Sequence, residues 1–111
     1  MSDARKLPTI SHHQFLALSV LRAGEQPGRS LRKVAADFGV RHTAAAFYQM
    51  MSRLERDGLV EGWYEQIQVK DQAVTERRYR ITSHGTRAWS EARAFYDAMA
   101  AASAQRRWSR A

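Results

Sequence analysis

Hydrophobic positions recur along this chain with two different periods, and the changes of period divide it into elements. From Ser11, the run HHQFLALSVLRAG sets Phe15, Leu16, Leu18, Val20 and Leu21 nearly all round a helix. That is the pattern of a mostly buried helix, with Ser11 as its N-cap. Gly24 ends it, and EQPG predicts a turn. Leu31, Val34, Ala35 and Phe38 then fall at i, i+3, i+4 and i+7. They predict a second helix, about Ser30 to Phe38, with Arg32, Lys33 and Ala36 outward. Gly39 stands where a helix end takes positive φ. Val40 plugs the core from a short turn, and Thr43 caps the next helix.

That third helix begins the stretch TAAAFYQMMSRLERDGLVEG. At 100° per residue, Ala44, Phe47, Met50, Met51 and Leu54 cluster on a core face. The opposite side carries Ala45, Gln49, Ser52, Arg53 and Arg56, flanked by Ala46 and Tyr48. Asp57-Gly58 closes the helix, and Leu59-Val60 returns the chain to the core. Helix, Gly-Val turn and helix, with a small Ala35 four residues before Gly39, is the pattern of a helix-turn-helix.

After Gly62 the period drops to two. Trp63, Ile67 and Val69 alternate with Tyr64, Gln66 and Gln68, DQAVT reads as a turn, and ERRYRIT puts Tyr79 and Ile81 on one face and Arg78 and Arg80 on the other. Two strands after a helix-turn-helix make a wing. Thr82-Ser83 caps a last helix, from His84 to about Ala102. Ala88, Ala92, Phe95, Met99 and Ala102 recur there at heptad spacing, flanked by Trp89 and Tyr96. Such a helix is roughly 28 Å long, more than a domain this size needs to cover itself. Its free end is expected to meet its own copy in a symmetric dimer.

The expected fold class is therefore mainly α with a small β-hairpin: a winged helix-turn-helix domain plus a long C-terminal dimerisation helix. The divisions are a flexible arm over 1–10, anchored by Leu7 and Ile10, the DNA-binding domain over 11–82, the dimerisation helix over 83–102 and a basic mobile tail over 103–111 carrying Arg106, Arg107 and Arg110.

Composition sharpens this. In 111 residues, Lys plus Arg is 18 against 11 for Asp plus Glu, a net charge of +7. Only Lys6, Lys33 and Lys70 are lysines; the other fifteen cations are arginine. Arginine's planar fork matches phosphate oxygens and guanine edges, which favours a nucleic-acid partner; an arginine-rich, GC-rich genome accounts for the same composition. With no cysteine, disulfides and thiolate metal sites are excluded and a reducing, cytoplasmic setting is expected. No apolar run approaches a membrane span. His12, His13, His42 and His84 lack metal-site spacing. There is no glycine-rich phosphate loop, no glycine-flanked serine nucleophile and no pair of carboxylates in apolar surroundings. Neither an enzyme nor a bound cofactor is expected.

The candidate DNA contacts follow from position. Arg41, His42 and Thr43 lie at the start of the third helix, where free amides and side chains can hold phosphate; a plain cap with two solvated side chains is the other reading. Small Ala45 lets the backbone enter a major groove. Gln49 can read adenine, Arg53 guanine or phosphate, and Tyr48 a phosphate from the edge. Ser52 and Arg56 share the face. Lys70, Arg77, Arg78 and Arg80 on the wing suit a phosphate clamp. The expected dimer interface is Ala88, Trp89, Ala92, Phe95, Tyr96 and Met99. Trp89 is read either as an interface anchor or as a platform on which two copies sandwich an aromatic effector.

The runs FYQMMSRLERDGLVEG and RRYRITSHG resemble the PadR family of winged-helix transcription regulators. Phe47-Tyr48, Leu54-Glu55, Gly58-Leu59-Val60 and Tyr79-Arg80-Ile81-Thr82 with Gly85 stand where the family has its leucine-tyrosine, leucine-glutamate, glycine-apolar and tyrosine-arginine-leucine-threonine-x-x-glycine positions. The resemblance covers about residues 11–100. The chain departs from it at the wing, where AVTERR replaces a glycine-arginine-proline stretch, and with its single C-terminal helix it is similar to the short form. The resemblance implies a homodimeric repressor-like regulator on pseudo-palindromic double-stranded DNA, with an effector site between the long helices that takes flat aromatic ligands in some members. Two other classes remain open: a winged-helix protein-interaction module, which should present an apolar, arginine-poor face, and a non-specific architectural DNA binder.

Overall fold

A computed structural model describes residues 7–104; the first six residues of the arm and residues 105–111 of the basic tail lie outside the described residues. Helix α1 spans His12–Leu21. Its start is a reciprocal capping box: Gln14 N–H donates to Ser11 Oγ at 3.1 Å, and Ser11 N–H donates to Gln14 Oε1 at 3.0 Å. Such a cap satisfies two of the amides that a helix start leaves orphaned. Ile10, just ahead, is buried, whereas Leu7, expected to share the anchoring, is exposed.

The EQPG segment is more than a turn. Gln26–Pro27 forms a short strand, β1, and helix α2 follows at once over Gly28–Asp37. A proline on an edge strand is compatible with pairing, since its missing N–H faces away from the ladder. Leu31 and Ala35 are buried as their spacing requires, but Phe38 is 73% exposed. The helical period stops at Asp37, so extrapolating it to Phe38 fails. Gly39 makes the bend at φ 83°, and Val40 N–H closes it on the Ala35 carbonyl at 2.8 Å.

Helix α3 covers Ala44–Arg56. A hairpin follows, β2 over Val60–Val69 and β3 over Gln72–Ile81. Pairing is antiparallel, from Val60 opposite Ile81 through to Val69 opposite Gln72. β1 adds to the free side of β3, with Gln26 opposite Tyr79, so the sheet order is β1-β3-β2. Only Lys70 and Asp71 form the turn, both at positive φ, the two-residue connection whose twist suits a hairpin. The DQAVT segment, expected as a turn, is therefore mostly strand.

Helix α4 spans Ser83–Ala104. Thr82 caps it, accepting from Gly85 N–H at 3.0 Å while donating to the Gly58 carbonyl at 2.6 Å. The core gathers Leu18, Leu21, Leu31, Phe47, Met51, Leu54, Val60 and Tyr79 with Trp89 and Ala92 of this helix. That assignment corrects part of the expected dimer surface. Ala92 is fully buried and Ala88 packs on the same core. Trp89 is 8% exposed, its ring stacked on Phe15 and covered by the Arg22 guanidinium at 3.7 Å from its centroid. Its indole N–H donates to Ser19 Oγ at 2.7 Å. With one ring face on Phe15 and Arg22 close over the ring, Trp89 offers no open ring face within the single chain. Trp89→Phe keeps the stack but removes this hydrogen bond. It is expected to cost about 1–2 kcal/mol in urea denaturation and to leave the association state unchanged.

Candidate nucleic-acid interface

Helix α3 has the features of a helix set on the surface by one face only. Thr43 Oγ1 accepts from Ala46 N–H at 3.0 Å, its first turn holds no acid and its last turn holds Arg53 and Arg56. Cations near the C-terminal end complement the helix dipole, and an acid-free start leaves its positive end open to an anion. Phe47, Met51 and Leu54 are buried. Ala45, Ala46, Gln49, Ser52, Arg53 and Arg56 are exposed. So is Ala44, placed on the core face by periodicity; the first turn stands clear of the core, which α3 first meets at Phe47. The exposed face is narrow and lined by alanines at its N-terminal end and polar from Gln49 onward.

Tyr48 does not project as a free flanking hydroxyl. It is half-buried, edge-on to Phe47 at 4.9 Å, and its ring lies so close over Gly28 that a β-carbon there would sit 2.8 Å from the Tyr48 oxygen. It fills the gap between α3 and the head of α2, and its rim lines two clefts beneath the hairpin.

The wing cations divide. Lys70 is exposed at the tip. Arg80 is exposed, pairs with Glu61 at 2.6 Å and lies over the Trp63 ring. Arg77 turns inward to Glu55 of α3 at 2.6 Å and lies over the Tyr64 ring. Arg78 meets Glu76 at 2.6 Å, Glu25 at 3.5 Å and Glu65 at 3.7 Å, while Glu76 also holds Arg29 at 3.1 Å. The Arg77 guanidinium thus ties the wing to α3, and that of Arg78 joins β3 to β2 and to the segment before β1, so both are engaged within the protein. Burial raises the Glu76 carboxyl, but the hydrogen bonds from Arg78 and Arg29 outweigh it and hold its pKa below the ordinary carboxylate value. Burial pushes the Tyr79 hydroxyl up to about 12, so that core ring stays neutral.

At the head of α3 the structure gathers residues that periodicity did not connect. The His42 ring packs 5.2 Å from His13 of α1 and edge-on to Phe47 at 5.8 Å. Arg32, Ala36, Val40, Arg41 and His42 line a cleft of about 230 Å³. Burial, then the charges of His13 and Arg32, lower the His42 pKa from 6.5. Arg32 was legible as an outward residue of α2 and His13 as a residue of the α1 start; their meeting with His42 is a product of the tertiary fold. Among the described residues, no group of His, Asp or Glu could hold a metal ion, and no helix is long and apolar enough to cross a membrane.

No protein-family model matches the chain, and no curated protein matches it. Solved structures do. A PadR-family transcriptional regulator from Eggerthella lenta is 29% identical, with TM-score 0.63 over 83% of this chain and 78% of that one. A PadR-family regulator from Clostridium difficile superposes at TM-score 0.73 with 16% identity, over 86% of this chain and 97% of that one. Bacillus subtilis PadR in complex with operator DNA has TM-score 0.59 and 18% identity, over 70% of this chain and 45% of that one. Four helices and a hairpin are thus arranged as in solved PadR-family regulators, and the chain has a PadR-like winged-helix fold.

Proposed function

We propose that this chain is a DNA-binding transcription regulator. It acts as a homodimer on a pseudo-palindromic operator and represses by occupying it, with each α3 in a major groove. The observation that carries the reading is the exposed α3 face, with small Ala45 and Ala46 at its head and Gln49, Ser52, Arg53 and Arg56 along it. A protein-docking face is depleted of charge at its centre, whereas this one has guanidiniums and an amide. The net charge of +7 adds attraction for a polyanion, and the structure of PadR in complex with operator DNA supports DNA as the partner. Lys70 and Arg80 are the wing's contacts with flanking phosphates; Arg41 and Thr43 act at the helix head.

The dimer reading rests on α4. Its 22 residues span about 33 Å. Gly85, Trp89 and Ala92 are its buried residues, and none follows. Met99, seven residues after Ala92 and on the same stripe, is 46% exposed. A stripe that covers the protomer's own core and then runs on uncovered suits a partner helix over Phe95, Met99 and Ala102.

Selection from a random duplex library should enrich an inverted repeat, with affinity falling steeply as salt rises. Arg53→Ala is expected to cost about 1–3 kcal/mol and relax one base position if the guanidinium reads guanine. If it holds phosphate, the loss is uniform and the salt slope falls by about 1. No binding at about 50 mM salt, where phosphate contacts are strong, would remove the DNA reading.

A further inference from the structure

The basic cluster at the head of α3 has a consequence for how DNA binding depends on protons. We propose that His13, Arg32 and His42 form a phosphate subsite that takes up protons as duplex DNA docks, so that binding tightens as pH falls through the neutral range. The proposal rests on the DNA-binding reading above and deepens it.

Three elements supply the subsite. His13 comes from the start of α1 and Arg32 from α2, while His42 immediately precedes the Thr43 cap of α3. The two imidazoles are 5.2 Å apart and tilted by 49°. The cleft beside them, about 230 Å³, opens between Arg32, Arg41 and His42. Among the described residues, none of His13, Arg32, Arg41 and His42 forms an ion pair with a carboxylate. This contrasts with Arg77, Arg78 and Arg80 of the wing, each of which has an acid. The groups that face His42 are His13 from α1, Arg32 from α2 and the uncharged Phe47 ring edge from α3. Both charges that act on it are therefore positive.

In the free protein this environment works against protonation of His42, in the direction its lowered pKa records. A phosphodiester placed against the cluster reverses the balance, because an opposite charge within about 4–6 Å favours the charged imidazole. The free pKa is depressed and the bound pKa raised, so the complex holds more protons between the two values. Affinity must then rise as pH falls through that window, by up to about tenfold per pH unit for each proton taken up. Above the bound pKa both states are neutral, and below the free pKa both are charged; neither limit shows a pH effect. His13, exposed and 5.2 Å away, stands beside His42 as a second imidazole that can face the same phosphate.

The test is binding of a labelled random-sequence duplex at fixed low salt, at about pH 8 and about pH 6, a range that brackets imidazole titration. The proteins are wild type, the double variant His13→Gln/His42→Gln, the exposed single variant His13→Gln, and His84→Gln on the α4 side. Circular dichroism at both pH values checks folding. Wild type and His84→Gln should bind about tenfold or more tightly at the lower pH, the double variant should gain less than about twofold, and His13→Gln should fall between. A flat wild-type profile, or a double variant that keeps the wild-type gain, overturns the subsite while leaving DNA binding intact. If His13→Gln alone keeps the full gain, His13 is not part of it. No binding at either pH removes the DNA reading itself, and the proposal with it.

Discussion

Gly85→Ala should lower the thermal unfolding midpoint by more than about 10 °C. Alanine is ordinarily the better helix former by roughly 0.5–1 kcal/mol, so the sign is opposite to what helix propensity dictates. The reason is a close approach. Gly85 lies buried in the first turn of α4, against the connection that leaves α3. A β-carbon there would strike the Leu59 carbonyl oxygen and come 2.7 Å from Ile81 Cγ1. The obstacle is backbone, and it is held in place. Leu59 O accepts from Thr82 N–H at 3.1 Å, and Thr82 Oγ1 binds both Gly58 O and Gly85 N–H. Relief requires α4 to move off the sheet, loosening Trp89 and Ala92 behind it. A cost of about 3 kcal/mol, at the upper end of overpacking effects, corresponds to some 12 °C or more in a domain near 100 residues. Melting followed by circular dichroism decides it; a neutral or stabilised variant would mean that α4 does not sit this close.

That glycine belongs to the ITSHG run in which the resemblance was legible, and its physical role shows what such runs encode. Features read from a few adjacent residues held: the Ser11 cap, the Gly39 bend, the Thr43 cap, the hairpin and the Thr82 cap. Each is decided by local geometry. Those that failed depend on partners far along the chain. Gln26–Pro27 is too short to show a period, and becomes a strand only because β3 lies beside it. Trp89 sits on an α4 stripe whose spacing is the same whether it faces its own core or a second copy. The Ser19 and Phe15 contacts that decide between these come from α1. The wing arginines alternate as a solvated face would, yet Arg77 meets a glutamate from α3 and Arg78 one from before β1. Conversely, the His13–Arg32–His42 cluster combines α1, α2 and the segment before α3, which no single periodicity could join.

The arginine that departs most from its position in the sequence should also cost the most to remove. Arg78→Ala is expected to destabilise the domain by about 2–3 kcal/mol at pH 7, because breaking a largely desolvated ion pair strands its partner. The side chains of Arg78 and Glu76 are 18% and 9% exposed, and Glu76 would retain only Arg29, itself largely solvated. Arg80→Ala, on the same strand face, removes a pair in which both partners are more than half exposed; it should cost less than about 1 kcal/mol. The pH dependence separates the two further. Since the folded pKa of Glu76 is held below its ordinary value, the unfolded chain takes up the proton first on acidification. The stabilisation is therefore complete above about pH 4.5, the ordinary glutamate range, and is lost as pH falls through the lowered folded value. In Arg78→Ala only the Arg29 hydrogen bond is left to oppose the effect of burial on Glu76, so the penalty is already present at neutral pH. The gap between wild type and variant should then narrow below about pH 4.5. Urea denaturation at neutral and acid pH measures both effects. If Arg78→Ala and Arg80→Ala cost the same, and Arg78→Ala instead weakens duplex binding and its salt dependence, Arg78 is a phosphate contact and the wing root is held by other means.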